Sequence, residues 1–374
     1  MCTNKKIFII LTIVFFFASC RNTKIVQLKE IFVDIDQSVT LPLSVITDEI
    51  TAIELELTDE SITSPQRINK VLFLDDNLII VESNNILVYS MNGKFIRSIG
   101  SRGQGPGEYN YIINAVMDKK NNLLFVLSSD SKILCYDLNG NNLKNITQFQ
   151  FQRDGFSIYD LAYINDNFFL IVEQWQSNEN KMNKLSAILK LNTEFQITDS
   201  CIIRDDGFKK ITRMYHFHEY SLFYNNSIIY IYYPDLYADE GNPIELVLRD
   251  TLYRFEKNNL IPELKLVFKN NGLERNGNKY IQLSNFYRSS RYVFAVYGNR
   301  RNSKTYRYCF DTVTTKGYNV LNDEFIDDIH QIGDLIKIRP VTMNTEYYYY
   351  LHTNMNPNDL EEPNPTLYIG KLKK

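Results

Sequence analysis

Apolar and polar positions form a pattern that recurs along most of the chain. An apolar run such as Asn77–Glu82 is followed by a second run, such as Ile86–Tyr89, and then by turn residues. The copies start at Asn77, Asn122, Asn167, Ser227, Arg291 and Glu346. The first three starts are 45 residues apart. Short apolar runs bounded by turn residues predict β-strands, so each copy predicts a small sheet.

Turn residues separate these runs. Asn92-Gly93 and Asn139-Gly140 each lie between two apolar runs, and the Asn-Gly pair favours the tight turn of a β-hairpin. A further short run precedes the first copy at Val71–Leu74. Repeats of about 40–50 residues with four short strands each are typical of propeller blades. The sequence therefore predicts an all-β protein that folds as a six-bladed β-propeller.

The two ends of the chain predict how the ring closes. The sixth copy supplies only three strands, at about 332–338, 346–351 and 366–371. The segment Ile53–Leu57 precedes the first copy and alternates apolar and polar side chains, as a half-buried strand does. We therefore predict that this N-terminal strand completes the last blade and that residues 41–374 form the propeller. Closure removes open sheet edges, which promote aggregation.

Composition agrees with the all-β class. The 374 residues include 7 alanines and 40 asparagines, and 13% are aromatic. Alanine is the best helix former, whereas aromatic side chains favour strands and asparagine favours turns. With 44% hydrophobic residues the chain can form a large core, which excludes overall disorder. The net charge of −3 and the lack of a basic tract exclude nucleic acid as an expected partner.

The first residues predict export. Lys5 and Lys6 precede an apolar run from Ile7 to Phe17, which is too short to span a bilayer and is typical of a signal peptide. The following Ala-Ser-Cys20 resembles a bacterial lipobox, in which the cysteine becomes the lipidated N-terminus. We expect a signal peptide over 1–19, lipidation of Cys20 and a tether over 20–40. The alternative is a simple secretory signal with a chance cysteine.

Three other cysteines, Cys135, Cys201 and Cys309, form neither a disulfide framework nor a metal-binding pattern. Cys135 and Cys309 lie in apolar runs, so we expect them to be small buried residues.

One segment has a more specific character. Ile99–Tyr109 contains Gly103-Gln-Gly105-Pro-Gly107-Glu-Tyr, and it follows Asn92-Gly93. This segment resembles the six-bladed β-propeller lipoproteins of Bacteroidota, which are similar to NHL-repeat propellers. The resemblance covers about residues 30–374. It implies a propeller in the cell envelope, but it implies no activity and no catalytic residue. The residues after Cys20 lack the acidic side chains of a surface-export signal in this group, so a periplasm-facing position is favoured over the cell surface.

Propeller topology predicts where a ligand binds. Connections between the first and second strands, and between the third and fourth, share one side of the ring, which we call the short-turn face. The other connections share the long-loop face, where recognition residues are expected. Its predicted loops span 100–111, 173–186, 204–216, 234–250, 269–283 and 352–365. The candidate ligand-binding residues in these loops are Arg102, Glu108, Tyr109, Trp175, Arg204, Asp205, Tyr215 and Tyr237. Trp175, the only tryptophan, either stacks on a sugar or protein partner or caps the blade beneath it.

Other candidate sites have simpler interpretations. The glycine-rich stretch 100–107 lacks the helix that a phosphate-binding loop needs, so it is interpreted as a tight connector. His216 and His218 share one face of a predicted strand and are weak metal candidates, but hydrogen-bonded structural histidines are favoured. We therefore predict no metal and no cofactor. Thr251 and Thr312 each follow an aspartate and resemble O-glycosylation sites of Bacteroidota.

These observations favour a binding function without catalysis. The predicted protein is an envelope lipoprotein that binds a glycan, a peptide or a protein partner through its long-loop face, and it contacts the membrane only through its lipid. One alternative is a lyase or hydrolase that uses carboxylates, histidine or a metal at the mouth of the propeller channel. Another is a structural subunit of an envelope complex.

Overall fold

The structure, a computed structural model, describes only part of the chain. The described residues are 28–74, 76–146, 155–178, 181–208, 211–216, 221–225, 227–233, 235–239, 250–273, 280–353 and 363–374. The predicted signal peptide, Cys20 and His218 lie outside these residues. Within the described part, no helix is long and apolar enough to cross a membrane.

Six sheets form the six blades of a β-propeller, as the sequence predicts. Three strands precede the first blade: β1 (Lys29–Val33), β2 (Val39–Pro42) and β3 (Thr47–Glu54). A single turn of 3-10 helix lies at Leu43–Val45.

Blades one to three follow in chain order. Blade one contains β4 (Ile68–Leu74), β5 (Asn77–Glu82), β6 (Ile86–Ser90) and β7 (Phe95–Ser98). The connection to the next blade contains a short parallel pair, β8 (Ser101–Arg102) and β9 (Glu108–Tyr109). Blade two contains β10 (Ile112–Asp118), β11 (Leu123–Ser128), β12 (Ile133–Asp137) and β13 (Asn142–Ile146). Blade three contains β14 (Phe156–Ile164), β15 (Asn167–Asn178), β16 (Lys181–Leu191) and β17 (Ile197–Phe208).

Blades four to six complete the ring. Strand β18 (Ile211–His216) precedes blade four, which contains β19 (Leu222–Asn225), β20 (Ile228–Ile231), β22 (Thr251–Glu256) and β23 (Asn259–Phe268). Strand β21 (Asp235–Asp239) pairs with β18 in a separate small sheet. A second 3-10 turn lies at Lys269–Gly272. Blade five contains β24 (Ile281–Arg288), β25 (Tyr292–Asn299), β26 (Lys304–Asp311) and β27 (Lys316–Ile326), and β28 (Leu335–Ile336) pairs with β27. Blade six contains β29 (Arg339–Pro340), β30 (Tyr347–His352) and β31 (Thr366–Leu372).

The N-terminal strands join three different blades. Strand β3 pairs antiparallel with β31, with Ile53 opposite Leu367, so it is the fourth strand of the blade-six sheet. Strand β1 pairs in parallel with β23 of blade four, and β2 pairs in parallel with β27 of blade five. The predicted tether over 20–40 therefore includes propeller strands, and the domain reaches back to Lys29 instead of starting at residue 41.

One predicted strand of blade six is displaced. The sequence predicts its first strand at about 332–338, but Leu335 and Ile336 pair with Phe325 and Ile326 at the end of blade five. The first strand of the blade-six sheet is the two-residue β29, where Arg339 lies opposite Tyr349.

Both faces of each blade are covered by its neighbours, which explains why the strands are almost continuously apolar. In β30, Tyr348 and Tyr350 are buried in the cluster shared with blade five. Tyr349 points to the opposite side and is buried in the cluster shared with blade one. The run of tyrosines therefore fills two different inter-blade cores. Cys135 and Cys309 are buried and free, as predicted.

Candidate functional site

Extra secondary structure is concentrated on the long-loop face. Strand β15 runs six residues beyond Val172, the position equivalent to the end of β5 at Glu82, and pairs with β16 as far as Asn178 and Lys181. The prediction of a loop over 173–186 is therefore wrong, because most of this segment forms the end of the β15–β16 hairpin. The small sheet of β18 and β21 and the parallel pair β8–β9 lie in connections of the same face.

The hairpin of blade three brings two of the predicted residues to one side. Glu173 lies opposite Ser186, which in turn lies opposite Arg204, while Trp175 lies opposite Lys184. Directly opposite residues of antiparallel strands share a face, and so do residues two apart on a strand. Trp175 and Arg204 therefore share a face. Asp205 belongs to the other face, next to Leu185, and is exposed.

A buried ion pair lies beneath Trp175. The Lys184 ammonium contacts the Glu173 carboxylate, and these side chains are 1% and 0% exposed. The ammonium lies 5.4 Å from the Trp175 ring centre and 5.3 Å from that of Tyr233 in blade four, and it donates to the Tyr233 hydroxyl at 3.4 Å. Cation–π contacts strengthen when water is excluded. The Lys184 ammonium therefore holds the half-buried Trp175 ring in place. Its contact with Tyr233 links blades three and four.

A second cation–aromatic pair lies on the connection between blades one and two. The exposed Arg102 guanidinium lies 4.2 Å from the ring centre of Tyr111, which is 43% exposed, and donates to its hydroxyl. Arg102 is one of the residues predicted from the sequence, whereas Tyr111, Lys184, Glu173 and Tyr233 were not predicted. Arg102 and Tyr111 are available to a ligand, since both are exposed.

The other two candidates of this connection have structural roles. The Glu108 carboxylate accepts from the Gly105 amide at 2.7 Å, and a Cβ at Gly103 would lie 2.0 Å from one of its oxygens. The Tyr109 side chain is fully buried, its hydroxyl donates to the Ile99 carbonyl at 3.2 Å, and burial raises its pKa. Tyr109 is therefore inaccessible to a ligand, and the glycine-rich stretch is a tight connector, as predicted.

Two further candidates lie in the small sheet of β18 and β21. Tyr215 lies opposite Leu236 in the small sheet, and Tyr237 lies opposite Met214. His216 ends β18. Within the described ranges no group of three or more histidine, cysteine, aspartate or glutamate residues is arranged to hold a metal ion.

The two candidate glycosylation residues differ in setting. Thr251 is 9% exposed and its hydroxyl donates to the Asp250 carboxylate at 3.1 Å. Thr312 is half-buried in the turn before β27, and its hydroxyl donates to the Arg291 carbonyl at 2.6 Å. Thr312 is thus the more accessible of the two, although its hydroxyl is already hydrogen-bonded.

Three polar side chains form a hydrogen-bonded chain that links the inner strands of blades one, two and three. Lys70 donates to the Asn114 side-chain oxygen at 2.7 Å, and the Asn114 amide donates to the Asp160 carboxylate. All three side chains are buried. Burial lowers the pKa of Lys70 to about 8, and the charge of Asp160 opposes this shift. The carboxylate also accepts from the backbone amides of Leu161, Ser221 and Leu222 at 2.8, 2.8 and 3.0 Å. These bonds join the inner strands to each other and to the start of blade four.

Known proteins resemble the chain in fold. A "putative exported protein" of Bacteroides fragilis matches 93% of this chain and 100% of its own, with 16% identity and a TM-score of 0.65. The β-propeller domain of the Trilobed protease from Pyrococcus furiosus matches over 82% and 83%, with 9% identity and a TM-score of 0.42. The Cps50 (Swd1) propeller domain of Myceliophteria thermophila matches over 83% and 98%, with 10% identity and a TM-score of 0.41.

At 16% identity, the similarity to the Bacteroides fragilis protein shows the fold alone. None of the curated proteins is significantly similar in sequence. The sequence profile of the domain of unknown function DUF4934 matches residues 26–374, and the chain belongs to that family.

Proposed function

We propose that the protein is an envelope lipoprotein whose propeller binds a glycan, a peptide or a protein partner through its long-loop face. The observation that carries this proposal is the long β15–β16 hairpin of blade three. Trp175 is half-buried on these paired strands and packs on the Lys184 ammonium. Tryptophan, tyrosine and arginine dominate the energetics of binding surfaces, since they combine a large apolar area with a polar group. The exposed Arg102–Tyr111 pair supplies a second contact of this kind on the same face.

The β15–β16 hairpin also gives Trp175 a defined position. Eleven consecutive residue pairs join β15 and β16, and β17 pairs with the far side of the same hairpin. A side chain held on paired strands loses little further entropy on binding, which favours affinity. The sequence predicts recognition by a long loop over 173–186, and the proposed surface lies instead on paired strands.

The proposed location rests on the N-terminal sequence. The segment ending at Cys20 resembles a lipobox, and the relative from Bacteroides fragilis is described as exported. In cells, the Cys20→Ala variant should lose incorporation of labelled palmitate and leave the membrane fraction.

Protease added to intact cells should spare the wild-type protein if the propeller faces the periplasm. Retention of palmitate by Cys20→Ala would refute the anchor, and cleavage in intact cells would place the propeller outside.

Replacing Trp175 by alanine should weaken partner binding by about 30-fold, the loss of a binding hot spot worth about 2 kcal/mol. The measurement is affinity capture from the solubilised native envelope, with each recovered protein or glycan then titrated against purified wild type and variant. Trp175→Phe retains an aromatic ring and should bind with intermediate affinity.

Arg97→Ala is the matched control for Arg102→Ala. Arg97 is a half-buried arginine of the outer strand β7 whose guanidinium donates to the backbone and side-chain oxygens of Asn139, away from the long-loop face. Arg97→Ala should leave partner binding unchanged, whereas Arg102→Ala should weaken partner binding. Equal binding by wild type and Trp175→Ala, with folding verified by circular dichroism, would contradict the proposed binding surface.

A further inference from the structure

A cavity of about 370 Å³ opens on the short-turn face, opposite the proposed binding surface. Blade one lines one side with Leu72 of β4, and blade six lines the other with Val341 and Ile369. Leu72 and Val341 are 1% and 3% exposed, so these walls belong to the folded core. A volume of this size is within the range of sites that bind small molecules, about 300–1,000 Å³.

Two methionines give the cavity an adaptable lining. Met343 lies in the turn before β30 and packs against the clusters of blades one and two and of blades three and four, which places it near the propeller axis. Met91 lies at the cavity rim in the turn between β6 and β7 and is 39% exposed. Methionine side chains are flexible and polarisable, so they fit apolar ligands of varied shape.

Four of the lining residues have polar side chains: Thr51, Lys119, Asn344 and Tyr347. Lys119, in the turn between β10 and β11 of blade two, is the one among them that carries a charge. A largely apolar cavity with one cationic side chain in its lining fits a molecule with an apolar body and one anionic head.

We propose that this cavity binds a medium-chain carboxylic acid, with the alkyl chain between blades one and six and the carboxylate at Lys119. At about 30 Å³ for each water-sized group, 370 Å³ accommodates about 12 non-hydrogen atoms. Decanoate has this number, whereas a two-chain phospholipid exceeds the volume several-fold. The site is independent of the partner binding proposed for the long-loop face.

The test uses radiolabelled decanoate in equilibrium dialysis against the full-length chain, kept in solution by phospholipid nanodiscs, with empty discs as background. The wild type should bind one decanoate saturably, and decyltrimethylammonium, which has the opposite charge, should not displace it. Absence of saturable decanoate binding, or equally effective displacement by the cationic amphiphile, would refute the proposal.

Two variants examine the ends of the site. Lys119→Gln should weaken decanoate binding about fivefold, as expected for loss of an ion pair near the surface. Lys120→Gln is its control, because the neighbouring ammonium lies 3.9 Å from Asp166 of blade three and does not line the cavity. Met91→Trp should fill the mouth and abolish binding without altering the buried walls. Unchanged affinity in both Lys119→Gln and Met91→Trp would overturn the assignment.

Discussion

Replacing Gly93 by alanine should lower the free energy of unfolding by about 3 kcal/mol. Gly93 has a φ of +83°, and alanine in the left-handed region costs about 1 kcal/mol. An added Cβ would also lie 1.9 Å from the carbonyl oxygen of Glu54, the last residue of β3. Since this atom belongs to the backbone, strand β3 would have to move away from blade one. Displacing packed structure in this way costs about 1–3 kcal/mol more.

Gly140 provides a matched control for this prediction. It occupies the same place in the Asn-Gly turn of blade two and has a φ of +86°, but the nearest atom to its added Cβ lies 3.5 Å away. Gly140→Ala should therefore cost only about 1 kcal/mol. Urea unfolding of both variants measures the difference. Equal losses would show that strand β3 accommodates the added Cβ at no cost in stability.

The repeat pattern predicts most strands because packing between blades imposes it. Predicted runs starting at Asn77 and Asn167 coincide with the starts of β5 and β15, since each strand needs apolar residues on both faces. Strands β1 and β2 were not predicted because they pair at the outer edges of blades and lie outside the repeat. Ile31 and Val33 are buried there, whereas Phe32 between them is 73% exposed.

The candidate site was only partly predictable for a related reason. Four of the five residues from Gln174 to Asn178 are polar, and Gln176 and Ser177 are exposed, because this end of the hairpin extends past the apolar core. Polar composition favours a loop in sequence, while cross-strand hydrogen bonds form the strand. Trp175 was identifiable by its rarity. Its partner Lys184 was not, since strand register decides which residue lies opposite it.

The buried Asp160 should be among the least replaceable side chains, and Asp160→Ala should lower the free energy of unfolding by about 5 kcal/mol. Its carboxylate accepts four hydrogen bonds, three of them from backbone amides and one from Asn114. Each buried donor left without an acceptor costs about 1–3 kcal/mol, and the buried Lys70 would lose the Asp160 charge that raises its pKa. Asp160→Asn retains one oxygen acceptor and should cost less, whereas alanine at the exposed Asp48 should change stability by no more than about 0.5 kcal/mol. Urea unfolding of the three variants measures these losses. A loss at Asp160 as small as that at Asp48 would mean that the inner strands do not depend on this carboxylate.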